Sequence, residues 1–104
     1  MKKIILITLL SGVIYSQCNL SNYTDYFPNL EGCDLQGLYV EGENWSNVNL
    51  HGANLKWAEF NNTGMGFADL TGADLTYAIV RNSNCTSANF SNIISESLVF
   101  IGSN

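Results

Sequence analysis

A chain of 104 residues, 46% of them hydrophobic, is long enough for one domain with a modest core. Its formal net charge is −5 at pH 7, and beyond the first seventeen residues only Lys56 and Arg81 stand against nine carboxylates. Such a surface repels phosphate backbones, so we expect no nucleic-acid partner. Plain solubility or a cationic protein partner explains the acidity better.

The first stretch, MKKIILITLLSGVIYSQ, has two lysines, then an apolar run, and then small and polar residues. This order is typical of a cleavable secretory signal, and it predicts a signal peptide over residues 1–16 with cleavage after Ser16. The apolar run from Ile4 to Leu10 is too short to span a bilayer, so we expect no membrane span. The alternative, a buried first strand or helix, is disfavoured by the two lysines. We therefore expect an exported protein, either periplasmic or secreted.

Residues 17–29 follow the predicted signal, and we expect them to form an N-terminal cap on the domain that begins at residue 30. Cys18 lies at the start of this segment, where a lipoprotein would carry its lipid. Gln17 occupies the position at which lipid-attachment sites require a small residue. A lipoprotein anchored through Cys18 is therefore the less favoured alternative.

A repeat of five residues organises the rest of the chain. Every fifth residue from Leu30 is apolar through thirteen successive positions, a run that chance produces roughly once in several thousand trials. We predict that these central residues form the core, and they are Leu30, Leu35, Val40, Trp45, Leu50, Leu55, Phe60, Met65, Leu70, Leu75, Val80, Cys85 and Phe90. Two residues before each centre the side chain is mostly small or apolar, and the residue between them is mostly Asn or Asp.

Neither a helix nor a straight strand accommodates this spacing. Five helical steps rotate the chain by ~140°, and an odd spacing sends successive strand residues to opposite faces. The pattern fits a chain that turns a corner in every repeat. Glycines fall two residues after a centre, at Gly32, Gly37, Gly42, Gly52 and Gly72. Polar residues interrupt the small inward position every twenty residues, at Glu43, Thr63 and Ser83. Four sides therefore close one coil, and the coils stack as parallel strands do, ~4.8 Å apart.

This arrangement of Ala, then Asp or Asn, then Leu, then two variable positions resembles the pentapeptide-repeat family from about Leu30 to Phe90. The resemblance implies an all-β fold, a right-handed quadrilateral parallel β-helix, with about four coils over residues 30–104. The sequence departs from the consensus at Gly64 and on the Glu43, Thr63 and Ser83 face, which we expect to bulge or to hold ordered water. The family also includes members that dimerise through their C-terminal ends, and acidic cytoplasmic rods that imitate DNA and bind or protect DNA gyrase.

The three cysteines do not suggest a simple pairing. Cys33 and Cys85 lie at inward positions on different faces, more than two coils apart, which is too far for a disulfide. We interpret both as small core hydrophobes. A disulfide between Cys18 and Cys33, near the entrance of the coil, is the alternative in an oxidising compartment.

No set of residues indicates catalysis. His51 is the only histidine, and its position just after a centre predicts a solvated side chain rather than a metal ligand or part of a triad. The carboxylates follow the repeat spacing, and the glycines mark corners rather than a phosphate-binding loop. We predict no enzyme, no catalytic, metal or cofactor-binding residue, and no cofactor.

Exposed aromatic and aliphatic residues are the candidate interaction surface. Trp57 and Tyr77 are twenty residues apart, so they should lie one above the other at an outward position of neighbouring coils. Exposed aromatics are favoured at interfaces, although simple stacking that covers a corner also explains them. Near the C terminus, Val99 and Ile101 should point outward beside an uncovered edge, which predicts a homodimer formed through this end.

The sequence therefore predicts an exported, non-enzymatic module with a structural or protein-binding role. The alternative is an acidic DNA-mimic rod that binds or protects DNA gyrase. The signal peptide opposes that alternative, and so does the short coil.

Overall fold

The structure is a computed structural model, and it describes residues 9–10, 13–14 and 18–104. The backbones of two short strands, β1 (Leu9–Leu10) and β2 (Val13–Ile14), pair antiparallel. Apart from these four positions, the signal peptide predicted for residues 1–16 lies outside the described residues.

Four parallel strands form one stacked face of the molecule. They are β3 (Tyr39–Glu41), β4 (Glu59–Asn61), β5 (Ile79–Arg81) and β6 (Val99–Ile101). Neighbouring strands pair with an offset of twenty residues, so that Val40 lies beside Phe60, Phe60 beside Val80, and Val80 beside Phe100. With one exception at the N-terminal end, the isolated bridges on the other faces have the same offset, as between Asn49 and Asp69. The four-sided parallel β-helix predicted from the repeat is confirmed.

Each corner is built by two positions of the repeat. The residue two after a centre lies in the left-handed region, with φ between 48° and 79°. The Asn or Asp just before a centre accepts a hydrogen bond from the backbone N–H two residues on. For Asn49 and His51 the distance is 3.0 Å, and for Asp69 and Thr71 it is 2.9 Å. This side chain satisfies an N–H that the corner leaves unpaired, which is why Asn and Asp recur there.

The centres point into the coil, as their spacing requires. Those from Leu30 to Val80 are buried. Phe90 is only partly buried, contrary to the prediction that it belongs to the core. The reason is its place in the stack: within the described residues only the end of the chain lies beyond it, and its ring makes an edge contact with Phe100 at a centroid distance of 5.7 Å.

Two buried hydroxyls on the face that departs from the consensus are satisfied by the chain itself. The N–H of Thr63 donates to Ser83 Oγ at 3.0 Å, and the N–H of Ser83 donates to Ser103 Oγ at 3.1 Å. The Ser83 hydroxyl donates in turn to the carbonyl of Arg81 at 2.9 Å. A column of hydroxyls thus joins successive coils at a position where most repeats carry a small apolar side chain.

The N-terminal end is closed by a short segment that contains a 3₁₀ helix, Tyr23–Asp25. Tyr23, Tyr26 and Phe27 are partly buried against the core, and Phe27 meets the Trp45 ring edge-on at a centroid distance of 5.0 Å. Asn19 bridges to Asp34, an offset of fifteen residues rather than twenty. The first turn of chain is therefore shorter than a coil.

This shorter turn corrects the prediction about the cysteines. The N–H of Asp34 donates to the carbonyl of Cys18 at 3.0 Å, which places Cys18 directly beneath Cys33. The two form a disulfide with a Cα–Cα distance of 4.8 Å, so Cys33 is not a free core hydrophobe. Cys85 is free and buried, and burial raises the pKa of its thiol.

Candidate interaction surface

Two aromatic side chains stack at one outer corner of the β-helix. The ring centroids of Trp57 and Tyr77 are 4.5 Å apart and the ring planes differ by 17°. Trp57 is 58% exposed and Tyr77 38% exposed. We call this pair the aromatic corner.

The backbone explains why the two rings meet. Gly37 donates its N–H to the carbonyl of Lys56 at 2.8 Å, and Trp57 donates its N–H to the carbonyl of Thr76 at 3.0 Å. Gly37, Trp57 and Tyr77 therefore occupy the same corner on three successive coils. One face of the indole lies against Tyr77. Among the described residues, the corner position beneath its other face is filled by a glycine, which has no side chain.

The aromatic corner is held in an unfavourable backbone conformation. Trp57 has φ 65° and Tyr77 φ 60°, in a region where bulky residues are rare. Each such residue costs about 1–3 kcal/mol. One stacked pair contributes about 0.5–1.5 kcal/mol beyond the area it buries. This stacking energy alone does not offset the cost of two strained backbone positions. Gly37 has φ 79° in the same column and escapes this cost.

Hydrogen bonds and ion pairs fix the surroundings of the aromatic corner. The Tyr77 hydroxyl donates to Glu96 Oε1 at 2.9 Å. Lys56 Nζ lies 3.7 Å from Asp74, and Arg81 lies 2.9 Å from Glu59. Partial burial of Asp74 acts to raise the pKa of its carboxyl, but hydrogen bonds from Thr76 and the charge of Lys56 outweigh it and the pKa is lowered.

The strand face next to the aromatic corner carries the other predicted surface residues. Val99 pairs with Ile79, which follows Tyr77 by two residues, so Val99 borders the corner. Val99 and Ile101 are both exposed on β6. On the first strand of this face, the Tyr39 hydroxyl donates to Glu41 Oε1 at 2.6 Å, and this hydrogen bond raises the pKa of Tyr39.

Phe67 is a further exposed aromatic residue, and its spacing in the repeat also places it at an outward position, although we did not include it among the candidate interaction residues. It is 66% exposed with φ 58°. It lies ten residues from both Trp57 and Tyr77, which is half a coil, so it occupies the diagonally opposite corner. Its neighbours in that column are Asn47 and Ser87, so among the described residues no second ring stacks on it. A large apolar residue at a corner position is the signal that indicates its exposure.

The described residues give no other strong candidate. A cavity of about 230 Å³ at the N-terminal end is lined by Tyr23, Thr24, Phe27, Glu43, Asn44 and Trp45. Trp45 is 2% exposed, so its ring face is not available there, and Glu43 is the single carboxylate. His51 is exposed, and the described part of the chain holds no group of three residues placed to bind a metal ion. Nor do the described residues form a helix of sufficient length and hydrophobicity to cross a membrane.

Comparison with known proteins matches most of the solenoid to one family. A family model described as pentapeptide repeats matches residues 29–63 and 68–92 in eight copies. No curated protein matches the chain.

Three solved structures illustrate the similarity. The pentapeptide repeat protein Rfr23 from the cyanobacterium Cyanothece 51142 is 27% identical, with a TM-score of 0.50, over 69% of this chain and 53% of that one. A protein from the thylakoid lumen of Arabidopsis thaliana is 29% identical over 74% of this chain and 61% of that one, with a TM-score of 0.30. A Nostoc PCC 7120 protein is 18% identical over 83% of this chain and 99% of that one, with a TM-score of 0.28. The chain thus spans about half the length of Rfr23. The family match and the stacked parallel strands together give the right-handed all-β β-helix.

Proposed function

Because the chain belongs to the pentapeptide-repeat family, we propose that it is an exported, non-enzymatic module that binds another protein through the outer surface of its β-helix. The observation that carries this proposal is the aromatic corner. Trp57 is 58% exposed and Tyr77 38% exposed, both in a strained conformation, and the exposed Val99 continues the apolar surface onto the neighbouring strand face. Large exposed aromatics with fixed side chains are the residues that dominate protein interfaces.

The disulfide supports export. Disulfides persist in oxidising compartments and are rare in the cytosol, and Cys18–Cys33 ties the cap to the first full coil. A thiol that is part of a disulfide cannot carry a lipid, so the same bond argues against lipidation of Cys18. The charged, apolar and small-residue order of residues 1–16 supports export independently.

Cell fractionation combined with intact mass spectrometry tests export. We expect the protein outside the cytoplasm, a mature N-terminus at Gln17, and one alkylatable thiol, that of Cys85, under denaturing conditions without reductant. A mature protein that retains Lys2 and Lys3, or that carries a lipid on Cys18, would contradict the proposal.

The acidic rod that imitates DNA is the weaker candidate. Four stacked strands spaced ~4.8 Å apart extend about 15 Å, less than half of the ~34 Å helical turn of duplex DNA. Finding the intact chain in the cytoplasm, together with inhibition or protection of purified gyrase, would favour that function instead.

Self-association through the C-terminal end is a second binding mode, favoured by one specific observation. Within the described residues β6 pairs on one side only, with β5, and Val99, Phe100 and Ile101 are all exposed. An open strand edge beside apolar side chains favours pairing with another chain. We expect two chains to meet end to end here.

Sedimentation equilibrium tests the dimer. We expect a dimer at high micromolar concentration that Phe100→Glu combined with Ile101→Glu converts to a monomer. Wild-type protein that remains monomeric at that concentration would rule the dimer out, without affecting the proposal for the aromatic corner.

A further inference from the structure

We propose that the open face of Trp57 is a docking site for an arginine side chain presented by a basic segment of a partner protein. This inference rests on the proposed binding function and specifies the chemistry of its partner. It draws on the geometry of the aromatic corner, on the charges around it, and on the planar shape of the guanidinium group.

The geometry leaves one ring face available. Tyr77 covers one side of the indole at 4.5 Å, and Gly37 occupies the corner position on the other side. A Cβ placed on Gly37 would meet nothing within 4 Å, so the space beside this corner is open among the described residues. Trp57 is accordingly more exposed than Tyr77. A flat group that enters beneath Trp57 would extend the existing stack by one layer.

The charges around this open face favour a cation. Both basic side chains near the corner are engaged, Lys56 with Asp74 and Arg81 with Glu59. Glu59 lies two residues after Trp57, whereas Glu96 holds the Tyr77 hydroxyl on the far side of the stack. The Arg81 contact uses Glu59 Oε1, so the second carboxylate oxygen remains to accept a hydrogen bond from an incoming group. An exposed indole face attracts a cation, and a carboxylate nearby adds a favourable charge interaction.

Arginine fits this site better than lysine. The guanidinium group is planar, stacks on aromatic faces, and donates hydrogen bonds in its own plane, so it can pair with a nearby carboxylate while it is stacked. An ammonium group is more strongly hydrated and has no flat surface to match the indole. A neutral sugar could also stack on the ring, but it would make no use of the surrounding negative charge.

A peptide titration tests the site on the purified full chain, whatever compartment it comes from. The probe is a fluorescein-labelled hexa-arginine peptide, with binding followed by fluorescence anisotropy at low salt. We expect Trp57→Gly to weaken binding about threefold or more, the loss of one exposed cation–π contact. Glycine suits the left-handed corner, so this variant should remain folded.

Phe67→Gly is the matched control. It also removes one exposed aromatic from a left-handed corner and replaces it with glycine, without a change of charge. We expect it to alter the affinity less than twofold. Equal losses in the two variants would overturn the proposal, because a general attraction to the acidic surface would then account for binding.

A second measurement needs no substitution. Trp45 is buried and Trp57 is exposed, so a change in tryptophan fluorescence when unlabelled peptide is added reports on Trp57. We expect hexa-arginine to change the emission and hexa-lysine to bind more weakly. Hexa-lysine that binds as tightly as hexa-arginine would overturn the assignment of arginine. A neutral oligosaccharide, cellohexaose, that changes the emission where hexa-arginine does not would identify a carbohydrate site instead. Export results do not affect any of these outcomes.

Discussion

Trp45, near the N-terminal end of the β-helix, is 2% exposed beneath the cap, whereas Phe100, at the other end, is 46% exposed. Both are inward centres of the same five-residue repeat, and both contact a neighbouring phenylalanine ring edge-on. The difference lies in what covers them. Tyr23 and Phe27 of the cap lie against the first, and within the described residues only Gly102, Ser103 and Asn104 follow the second.

This contrast shows that the repeat fixes the direction of a side chain but not its burial. A solenoid is stabilised by contacts between neighbouring coils, so a terminal coil has half the contacts of an internal one. We therefore expect stability to be graded along the axis, highest in the middle coils and at the capped end and lowest at β6. The following experiments test this gradient, from the largest expected effect to the smallest.

Leu70→Asp should unfold the domain. Leu70 is buried in a middle coil, where an unpaired carboxylate costs at least about 4 kcal/mol. Thr71→Asp is the neighbouring control at an outward position, and it should change the free energy of unfolding by less than about 1 kcal/mol. Circular dichroism melts of both variants check this, and similar melting temperatures would mean that the inward positions are misassigned.

Trp45→Ala and Phe100→Ala compare the two ends directly. Removal of the buried Trp45 side chain should cost about 3–5 kcal/mol, since it leaves a cavity beneath the cap. Removal of Phe100, which is half-exposed, should cost about 1 kcal/mol. Urea denaturation provides both values. A similar loss at each end would show that an additional contact covers β6.

Removing the disulfide should destabilise the capped end specifically. Cys18 and Cys33 close a loop of fifteen residues, for which loop-closure entropy predicts a loss of about 3 kcal/mol when both are changed to serine. Hydrogen exchange should then increase first in residues 19–28 and leave β5 protected. Cys85→Ala, at a cysteine outside the disulfide, should leave exchange in the cap unchanged. A uniform increase in hydrogen exchange along the chain would contradict the proposed gradient of stability.

Lowering the pH should produce the smallest loss of stability, and this loss should arise in the middle coils. Hydrogen bonds from Thr71, with a contribution from His51, hold the pKa of Asp69 below its usual 3.8. A lowered folded-state pKa contributes stability above pH 3.8 that is lost as the pH falls through the folded value. Asp69→Asn should retain the corner hydrogen bond, as Asn49 and Asn89 do in the same column. It should lose the part of the pH dependence of stability that comes from the Asp69 carboxyl. The free energy of unfolding of both proteins is measured between pH 2 and 5. The same pH dependence in Asp69→Asn and wild type would show that Asp69 makes no such contribution.

The five-residue period predicted the fold because every centre must be apolar for the coil to close around a core. Counting in steps of five was enough to assign Leu50 and Leu70 to inward positions. Counting in steps of twenty was enough to predict the contact between Trp57 and Tyr77. The offset of twenty residues was visible because polar exceptions such as Thr63 and Ser83 recur on one face.

The disulfide could not be predicted in the same way. Its partner positions depend on a first turn of fifteen residues, and residues 19–28 carry no repeat from which to count. The strain at Trp57 was not deduced from the sequence, although glycines at the equivalent position, such as Gly37, indicate a left-handed corner that Trp57 shares. The burial of Phe90 was overestimated for a related reason. The repeat shows that the Phe90 side chain points inward, but it does not show how much of the chain covers that side chain.

The offset of twenty residues between neighbouring rings has a consequence for insertions and deletions. Loss of any five-residue unit leaves every centre apolar, so the coil can still close, but all later residues move round by one face. A deletion of this size between Trp57 and Tyr77 would place Tyr77 above Gly52, so the Trp57 and Tyr77 rings would no longer contact each other. The same deletion ahead of Trp57 would carry both rings to a new side together. Changes in length can therefore rearrange the exterior of this protein while its interior remains intact.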